Sequence, residues 1–221
     1  MIRVNAFFAR ARARLLDALA RYLAQPLGHP GPAMDAELPA LAATLRCGDV
    51  LLTNGNTRAA ALVRRVTRSS WAHVCMYVGP LEEGADPRCI VEADVAAGVR
   101  AIRLSELGGL KVRVLRPAAL ADAELRSLAD WVVARIGDPY DMAHAWALAK
   151  LLLLPLASRL APPVRMAEGA SRFICTSLLA QAFVLVGYQL FPGAGVGDAR
   201  AAPAYVVPRD FESASGFELV E

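Results

Sequence analysis

The fold of this chain is decided by residues 171–187, which read Ser-Arg-Phe-Ile-Cys-Thr-Ser-Leu-Leu-Ala-Gln-Ala-Phe-Val-Leu-Val-Gly. Cys175 opens an apolar run with helical spacing, and Gly187 is a typical helix end. A cysteine in the first turn of a helix lies where free N–H groups and the helix dipole stabilise a thiolate. The same pattern fits a buried structural cysteine, since free cysteines are among the most buried residues. The rest of the chain has to decide between the two.

Composition excludes several classes of protein. The 221 residues are enough for one domain with a proper core, and a net charge of +3 is too weak to argue for nucleic acid binding. The four cysteines form no Cys-x-x-Cys pair and the three histidines have no zinc-ligand spacing, so we expect neither a metal nor a cofactor. So few cysteines in a chain of this length predict reduced thiols.

Residues 1–40 are predicted to form an amphipathic helix and a linker, and residues 41–221 the main folded domain. Residues 2–24 combine apolar helical spacing with five arginines. Such a helix either packs on the domain or on a second subunit, or it lies on an anionic membrane surface. Residues 25–39 are rich in proline and predict a linker. No signal-peptide core and no spanning segment are recognised, which predicts a cytoplasmic protein, with peripheral attachment to the inner membrane face as the alternative.

A closely spaced series of short strands favours an antiparallel sheet within an α+β domain. We expect strands at residues 50–53, 71–79, 89–93, 98–102 and 111–115, and a last strand within residues 211–220 that closes the sheet. Helices are expected at residues 57–67, 121–136 and 140–160, before the helix that starts at Cys175.

Strand alternation brings chemically active side chains together. In residues 71–79 one face carries Trp71, His73, Cys75 and Tyr77. A hairpin with the next strand can put the Glu92 carboxylate beside the His73 ring. An imidazole held by a carboxylate is the base that a nucleophilic thiol requires, and Cys175 supplies the thiol. The alternative is structural: a lone histidine is often a satisfied core residue, and Glu92 can be a protective charge on an edge strand.

Six segments resemble the YiiX/YebB-like branch of the NlpC superfamily, whose members are permuted papain-fold cysteine peptidases. These segments are residues 48–52, 70–79, 91–93, 137–141, 173–179 and 207–213. The resemblance covers residues 45–221. It implies a circularly permuted papain-like fold, with an antiparallel sheet packed against helices that include the nucleophile helix.

The resemblance also implies residue roles. Cys175 is the expected nucleophile, His73 the general base and Glu92 the orienting residue. One departure is Ser177, which stands where the family often has a glutamate, and this leaves the substrate open. The substrate site is expected to be lined by Tyr77, Trp71 and Tyr140.

The expected function is a thiol hydrolase or acyltransferase that works through an acyl-enzyme on an amide, a lipid ester or a lipid amide. Related permuted families, such as the lecithin:retinol acyltransferase group, act on lipids. The alternative is a catalytically idle papain-fold module that binds a partner or a membrane through its N-terminal helix. Cys75 is expected to be a packing residue rather than a redox partner. Asp138 and Asp141 are expected to cap a helix, and His144 to be structural.

Overall fold

The architecture is taken from a computed structural model, which describes residues 18–19, 21–28, 38–153, 172–190 and 203–220. Within these residues, one six-stranded sheet has the order β4-β3-β2-β1-β5-β6, and every neighbouring pair of strands is antiparallel. The strands are β1 (Val50–Thr53), β2 (His73–Tyr77), β3 (Arg88–Asp94), β4 (Gly98–Arg103), β5 (Val112–Pro117) and β6 (Phe217–Val220).

The helices lie between and after these strands. They are α1 (Leu38–Thr44), α2 (Arg58–Thr67), α3 (Asp122–Val133), α4 (Met142–Leu153), α5 (Cys175–Leu185) and α6 (Pro208–Ser213), with short 3₁₀ turns at Leu104–Leu107 and Pro203–Tyr205. The predicted α+β class with an antiparallel sheet is confirmed.

The two faces of the sheet carry separate apolar clusters. Val74 and Met76 of β2 pack with α3 and α5, whereas Cys75 of the same strand packs with Leu51 and Ile90 on the opposite face. Most residues of α5 are buried, from Cys175 through Ala180 and again at Ala182 and Phe183. An apolar helix of this kind has to lie inside the domain, which explains why residues 175–185 show no polar face.

Two predicted strand ranges were wrong in part. The strand predicted at residues 71–79 begins only at His73, so Trp71 does not follow its alternation and packs in the cluster on the α5 side. Phe211, predicted to open the last strand, lies in α6, because Pro208 occupies a first-turn position that favours a helix. The closing strand is β6, beside β5.

The N-terminal segment contacts the domain through α2. The Arg58 N–H donates to the Gln25 carbonyl at 3.0 Å, and the Leu27 N–H donates to the Asn56 carbonyl at 2.6 Å. In the described segment, residues 21–24 are helical. Residues 2–17 lie outside the described residues, so both alternatives for the helix stay predictions, as does the boundary at residue 40.

α1 begins at Leu38 and buries none of its residues. It therefore starts inside the predicted linker, since Pro39 is tolerated in the first turn of a helix. Among the described helices, none is both long and apolar enough to cross a bilayer.

Candidate active site

Cys175 occupies the first position of α5 and is largely buried. Ile174 precedes the helix, and its backbone N–H donates to the Ser177 hydroxyl at 3.1 Å. Ser177 therefore performs the capping task that a glutamate often performs three residues after the cap. The departure at Ser177 thus has a structural explanation within this chain. The remaining N–H groups of the first turn face the region of the thiol, where they favour negative charge.

His73 lies between a thiol and a carboxylate. Its Nε2 atom is 2.7 Å from Glu92 Oε2, and the Cys175 thiol lies near enough to the ring to raise the pKa of the imidazole. Because the Nε2 atom of His73 is hydrogen-bonded to Glu92, the ring nitrogen that remains available to the Cys175 thiol is Nδ1. The pairing of Met76 with Val91 sets the register, which puts Glu92 diagonal to His73 on the same face of the sheet. The structure therefore brings together all three residues of the predicted constellation.

His73 and Glu92 stabilise each other's charged forms. Burial lowers the pKa of His73, but Cys175 and Glu92 raise it, and the net pKa lies well above the ordinary value of 6.5. Burial raises the pKa of Glu92, but His73 and Arg100 outweigh this effect and lower it to about 2. The arrangement therefore favours an imidazolium at His73 beside an ionised Glu92 carboxylate.

Arg100 is a member of the site that the sequence interpretation missed. It lies opposite Glu92 across the β3–β4 hairpin, and its Nε and Nη2 atoms are 2.9 and 2.7 Å from Glu92 Oε1. The carboxylate thus has one oxygen on Arg100 and the other on His73. The signal was present in the sequence, because the predicted strands at 89–93 and 98–102 form a hairpin whose register pairs these two residues.

The segment Asp138–Tyr140 lies between β4 and the residues before Cys175, and it is hydrogen-bonded to both. The Val99 N–H donates to the Asp138 carbonyl at 2.8 Å, and the Phe173 N–H donates to the Pro139 carbonyl at 3.2 Å. Tyr140 lies in this segment, and burial together with the nearby Cys175 raises the pKa of its phenol. The segment therefore places a neutral tyrosine beside the thiol, and a role of Tyr140 in substrate binding stays a prediction.

Trp71 and Tyr77 do not reach the site. Trp71 is buried, with the Arg113 guanidinium 5.1 Å from its ring centre, and Tyr77 packs in the cluster around Ile90. Neither residue lines the two cavities that reach Cys175. The expectation for Tyr77 was wrong because four residues of strand separate it from His73, which amounts to about 13 Å.

Two cavities meet at Cys175. The first has a volume of about 320 Å³ and is almost entirely apolar, and the second has a volume of about 220 Å³ and a mixed lining. Both cavities are lined by Cys175, Tyr140, Ala59, Val63, Ala72 and Val95. The apolar cavity is further lined by Leu19, Leu23, Leu62, Val66, Met142 and Trp146, and the mixed one by Asn56, His73, Glu92, Asp94, Arg100 and Glu106. The thiol therefore lies at the border between an apolar and a polar compartment.

The other singled-out polar residues have structural positions. The Cys75 thiol is buried, donates to the Leu51 carbonyl at 3.6 Å, and has a pKa raised well above its ordinary value by burial. It is therefore an inert packing residue. Asp141 Oδ1 accepts the His144 N–H at 2.9 Å and caps α4, and the His144 ring bonds the Ala204 carbonyl. The backbone carbonyl of Asp138 accepts a hydrogen bond from the Val99 N–H of β4.

Comparisons with known proteins agree with this architecture. Residues 44–151 match the model of a family described as permuted papain-like amidases, YaeF/YiiX, C92 family. A similar solved structure is metalloprotein YiiX from Escherichia coli O157:H7, with a TM-score of 0.55 and 16% identity over 80% of this chain and 97% of that chain. No curated protein matches the chain. The matched family residues include His73 and Glu92 but end before Cys175.

These similarities show the fold and support a cysteine hydrolase in general terms. The YiiX protein of that solved structure is described as a metalloprotein. Within the part of this chain that the structure describes, no group of three or more histidine, cysteine or acidic side chains is placed to hold a metal ion. The described residues therefore do not fit a metal centre.

Proposed function

We propose that this chain, which has the YiiX-like permuted papain fold, is a cysteine hydrolase that forms an acyl-enzyme on Cys175. The observation that supports this most directly is the His73 ring, which bonds the Glu92 carboxylate and lines the same cavity as the Cys175 thiol. A thiol, an imidazole and an orienting carboxylate placed together are the arrangement that activated thiol catalysis requires.

Acylation follows from these contacts. The Cys175 thiolate attacks the carbonyl carbon of the substrate, a C–S bond forms, and the carbonyl electron pair moves to oxygen. The first-turn N–H groups of α5 are the donors available to this oxyanion. Thr176 adds a hydroxyl that is buried without a hydrogen-bond partner among the described residues. When the oxyanion collapses, the His73 imidazolium gives its proton to the leaving amine or alcohol.

Deacylation reverses the proton path. Water attacks the thioester carbon while neutral His73 takes the water proton. The C–S bond then breaks, the proton passes to sulfur, and a carboxylic acid leaves. Glu92 stays ionised throughout and holds the imidazole through Nε2, so that each half-reaction uses the same ring nitrogen.

The two cavities support a substrate with two unlike parts. An apolar acyl group fits the 320 Å³ cavity, whose lining is almost free of polar atoms, and a polar amine or alcohol fits the mixed cavity. The scissile carbonyl then lies at the border, beside Cys175. We therefore propose an N-acyl amide or a lipid ester as substrate.

The test is alkylation and turnover in parallel. Iodoacetamide labelling of each cysteine, followed by mass spectrometry from pH 5 to 9, is expected to modify Cys175 fastest near neutral pH. His73→Ala should slow this labelling at least tenfold. Half-buried Cys47 provides the internal control, since burial raises the pKa of its thiol.

Turnover is measured with medium-chain acyl amides and esters that release a fluorescent amine or alcohol. Cys175→Ala is expected to abolish release. Slow labelling of Cys175 that is unaffected by His73→Ala, together with no release, would overturn the proposal and favour an idle binding module. Product formed only when an alcohol is added would replace hydrolysis by acyl transfer.

A further inference from the structure

We infer that the N-terminal segment, residues 18–19 and 21–28, forms a wall of the apolar cavity through Leu19 and Leu23 and limits the length of the acyl chain that reaches Cys175. This inference rests on the proposed acyl-enzyme function. It assigns a substrate-selecting role to residues that precede the stretch matched by the family model.

The segment is fixed to the start of α2 by its backbone. Pro26 and Thr57 form an isolated antiparallel bridge, and two flanking hydrogen bonds join Gln25 to Arg58 and Leu27 to Asn56. Thr57 also caps α2, because its hydroxyl accepts the Ala60 N–H at 3.1 Å. The segment is therefore joined to a rigid element of the domain rather than to a loose loop.

A side-chain contact fixes the rotation of the segment. The Arg58 guanidinium lies 4.5 Å from the centre of the Tyr22 ring, and its Nη1 atom donates to the Tyr22 hydroxyl at 2.9 Å. Leu19 and Leu23 are four residues apart, which places them on one face of a helix. Both leucines line the apolar cavity. The Tyr22–Arg58 contact thus holds the leucine face towards the cavity.

The cavity connects this wall to the nucleophile. α2 supplies Leu62 and Val66, α4 supplies Trp146, and Cys175 lies at the border with the polar cavity. An acyl chain whose carbonyl is at the thiol extends away from the polar side, into the space enclosed by these groups. Each methylene that the space accepts is expected to improve kcat/KM about fourfold, and the gain should stop where the chain meets the wall.

The experiment compares chain-length profiles. Full-length protein is assayed with acyl amides of two to sixteen carbons, and Cys175 is alkylated in parallel with N-alkyl iodoacetamides of the same lengths. Leu23→Trp is expected to move the optimum at least two carbons shorter. Leu23→Ala should move it longer. Leu27→Trp is the matched control, because Leu27 is half exposed and lines neither cavity, and it should leave the profile unchanged.

The two proposals fail in different ways. If Cys175 turns over acyl amides but the Leu23 variants keep the wild-type profile, the inference is overturned and the proposed function stands. If no acyl amide is turned over, the proposed function fails. The wall is then judged from the alkylation profiles and from binding of a fluorescent fatty acid to Cys175→Ser. If Leu23→Trp changes neither the alkylation profile nor the affinity for the fatty acid, the inferred wall is contradicted. If Leu23→Trp alters the dependence of either quantity on chain length, the wall is supported.

Discussion

Glu92 divides its carboxylate between two partners, with Oε2 at 2.7 Å from His73 Nε2 and Oε1 at 2.7 Å from Arg100 Nη2. A carboxylate held by a fixed cation cannot rotate away from the imidazole it orients. The pKa of His73 and the position of its ring therefore depend on a residue that does not touch the thiol.

Replacement of Glu92 by glutamine is expected to reduce kcat/KM by about 10²- to 10⁴-fold, because the imidazolium loses the charge that stabilises it. Glu92 raises the pKa of His73, so the alkaline limb of the pH–rate profile should move to lower pH in Glu92→Gln. Glu83→Gln, at an exposed site, is the matched control. An unchanged alkaline limb would contradict the role given to Glu92.

Acid sensitivity should follow from the same carboxylate. Its pKa is lowered from 4.5 to about 2 in the folded protein, so its contribution is fully present above pH 4.5 and disappears as pH falls towards 2. The contribution amounts to about 3 kcal/mol of unfolding free energy. Urea titrations between pH 7 and pH 2.5 should show a smaller decrease in Glu92→Gln than in wild type. Parallel curves for the two proteins would argue against the ion-paired carboxylate.

Arg100 is expected to act as a positioning residue. Arg100→Gln removes a cation that lowers the pKa of Glu92, so the acid limb of activity should move to higher pH and kcat should fall about tenfold with little change in KM. Arg100→Lys should recover part of the loss, since it restores the charge but not the two-atom contact. Arg103→Gln, which interrupts an ion pair with Glu82, tests for a general effect on stability. Equal losses in Arg100→Gln and Arg103→Gln would remove the specific role.

Ser177 is expected to act as a helix cap and not as a substrate group. Ser177→Ala removes the acceptor of the Ile174 N–H and should cost about 1 kcal/mol of unfolding free energy. The ratio of kcat/KM values for two acyl chain lengths should stay as in wild type. A changed ratio at unchanged stability would assign Ser177 to the substrate site.

Gly98 should tolerate no side chain, because the contact between β4 and the Tyr140 segment is too close. Its φ is +76°, and a Cβ atom there would lie 2.4 Å from the Asp138 carbonyl oxygen. Gly187→Ala is the matched control, with a φ of +70° and no atom within 4 Å of the added Cβ. Gly98→Ala is expected to lower the unfolding free energy by at least about 1 kcal/mol more than Gly187→Ala does, and also to reduce activity. Equal losses in both variants would show that backbone strain alone matters.

Local patterns were sufficient for much of the sheet and for the start of α5. Val50–Thr53 is an apolar run between turn residues, and Cys175 follows an extended residue, so both boundaries were predicted as they occur. The antiparallel order followed from strands too closely spaced for helical crossovers. The contact between His73 and Glu92 followed from alternation, because both side chains lie on one face of a hairpin.

The errors arose where local patterns stop being informative. Alternation was extended to Trp71, although the strand begins two residues later, and Tyr77 shares a face with His73 but lies too far along the strand. The contact between Arg100 and Glu92 could be predicted only from the register of a second hairpin, the one between β3 and β4. The apolar cavity could not be predicted at all, because its walls come from α2, α4 and the N-terminal segment, and only tertiary packing brings them together.

The order of the site residues along the chain has a consequence for biosynthesis. A nascent polypeptide presents the imidazole of His73 and the carboxylate of Glu92 to solvent or to a chaperone long before Cys175 leaves the ribosome. The first five strands can pair during this time, whereas α5 and β6 are synthesised later. Translation that stops before residue 175 therefore releases a fragment that carries the imidazole and the carboxylate but lacks the Cys175 thiol.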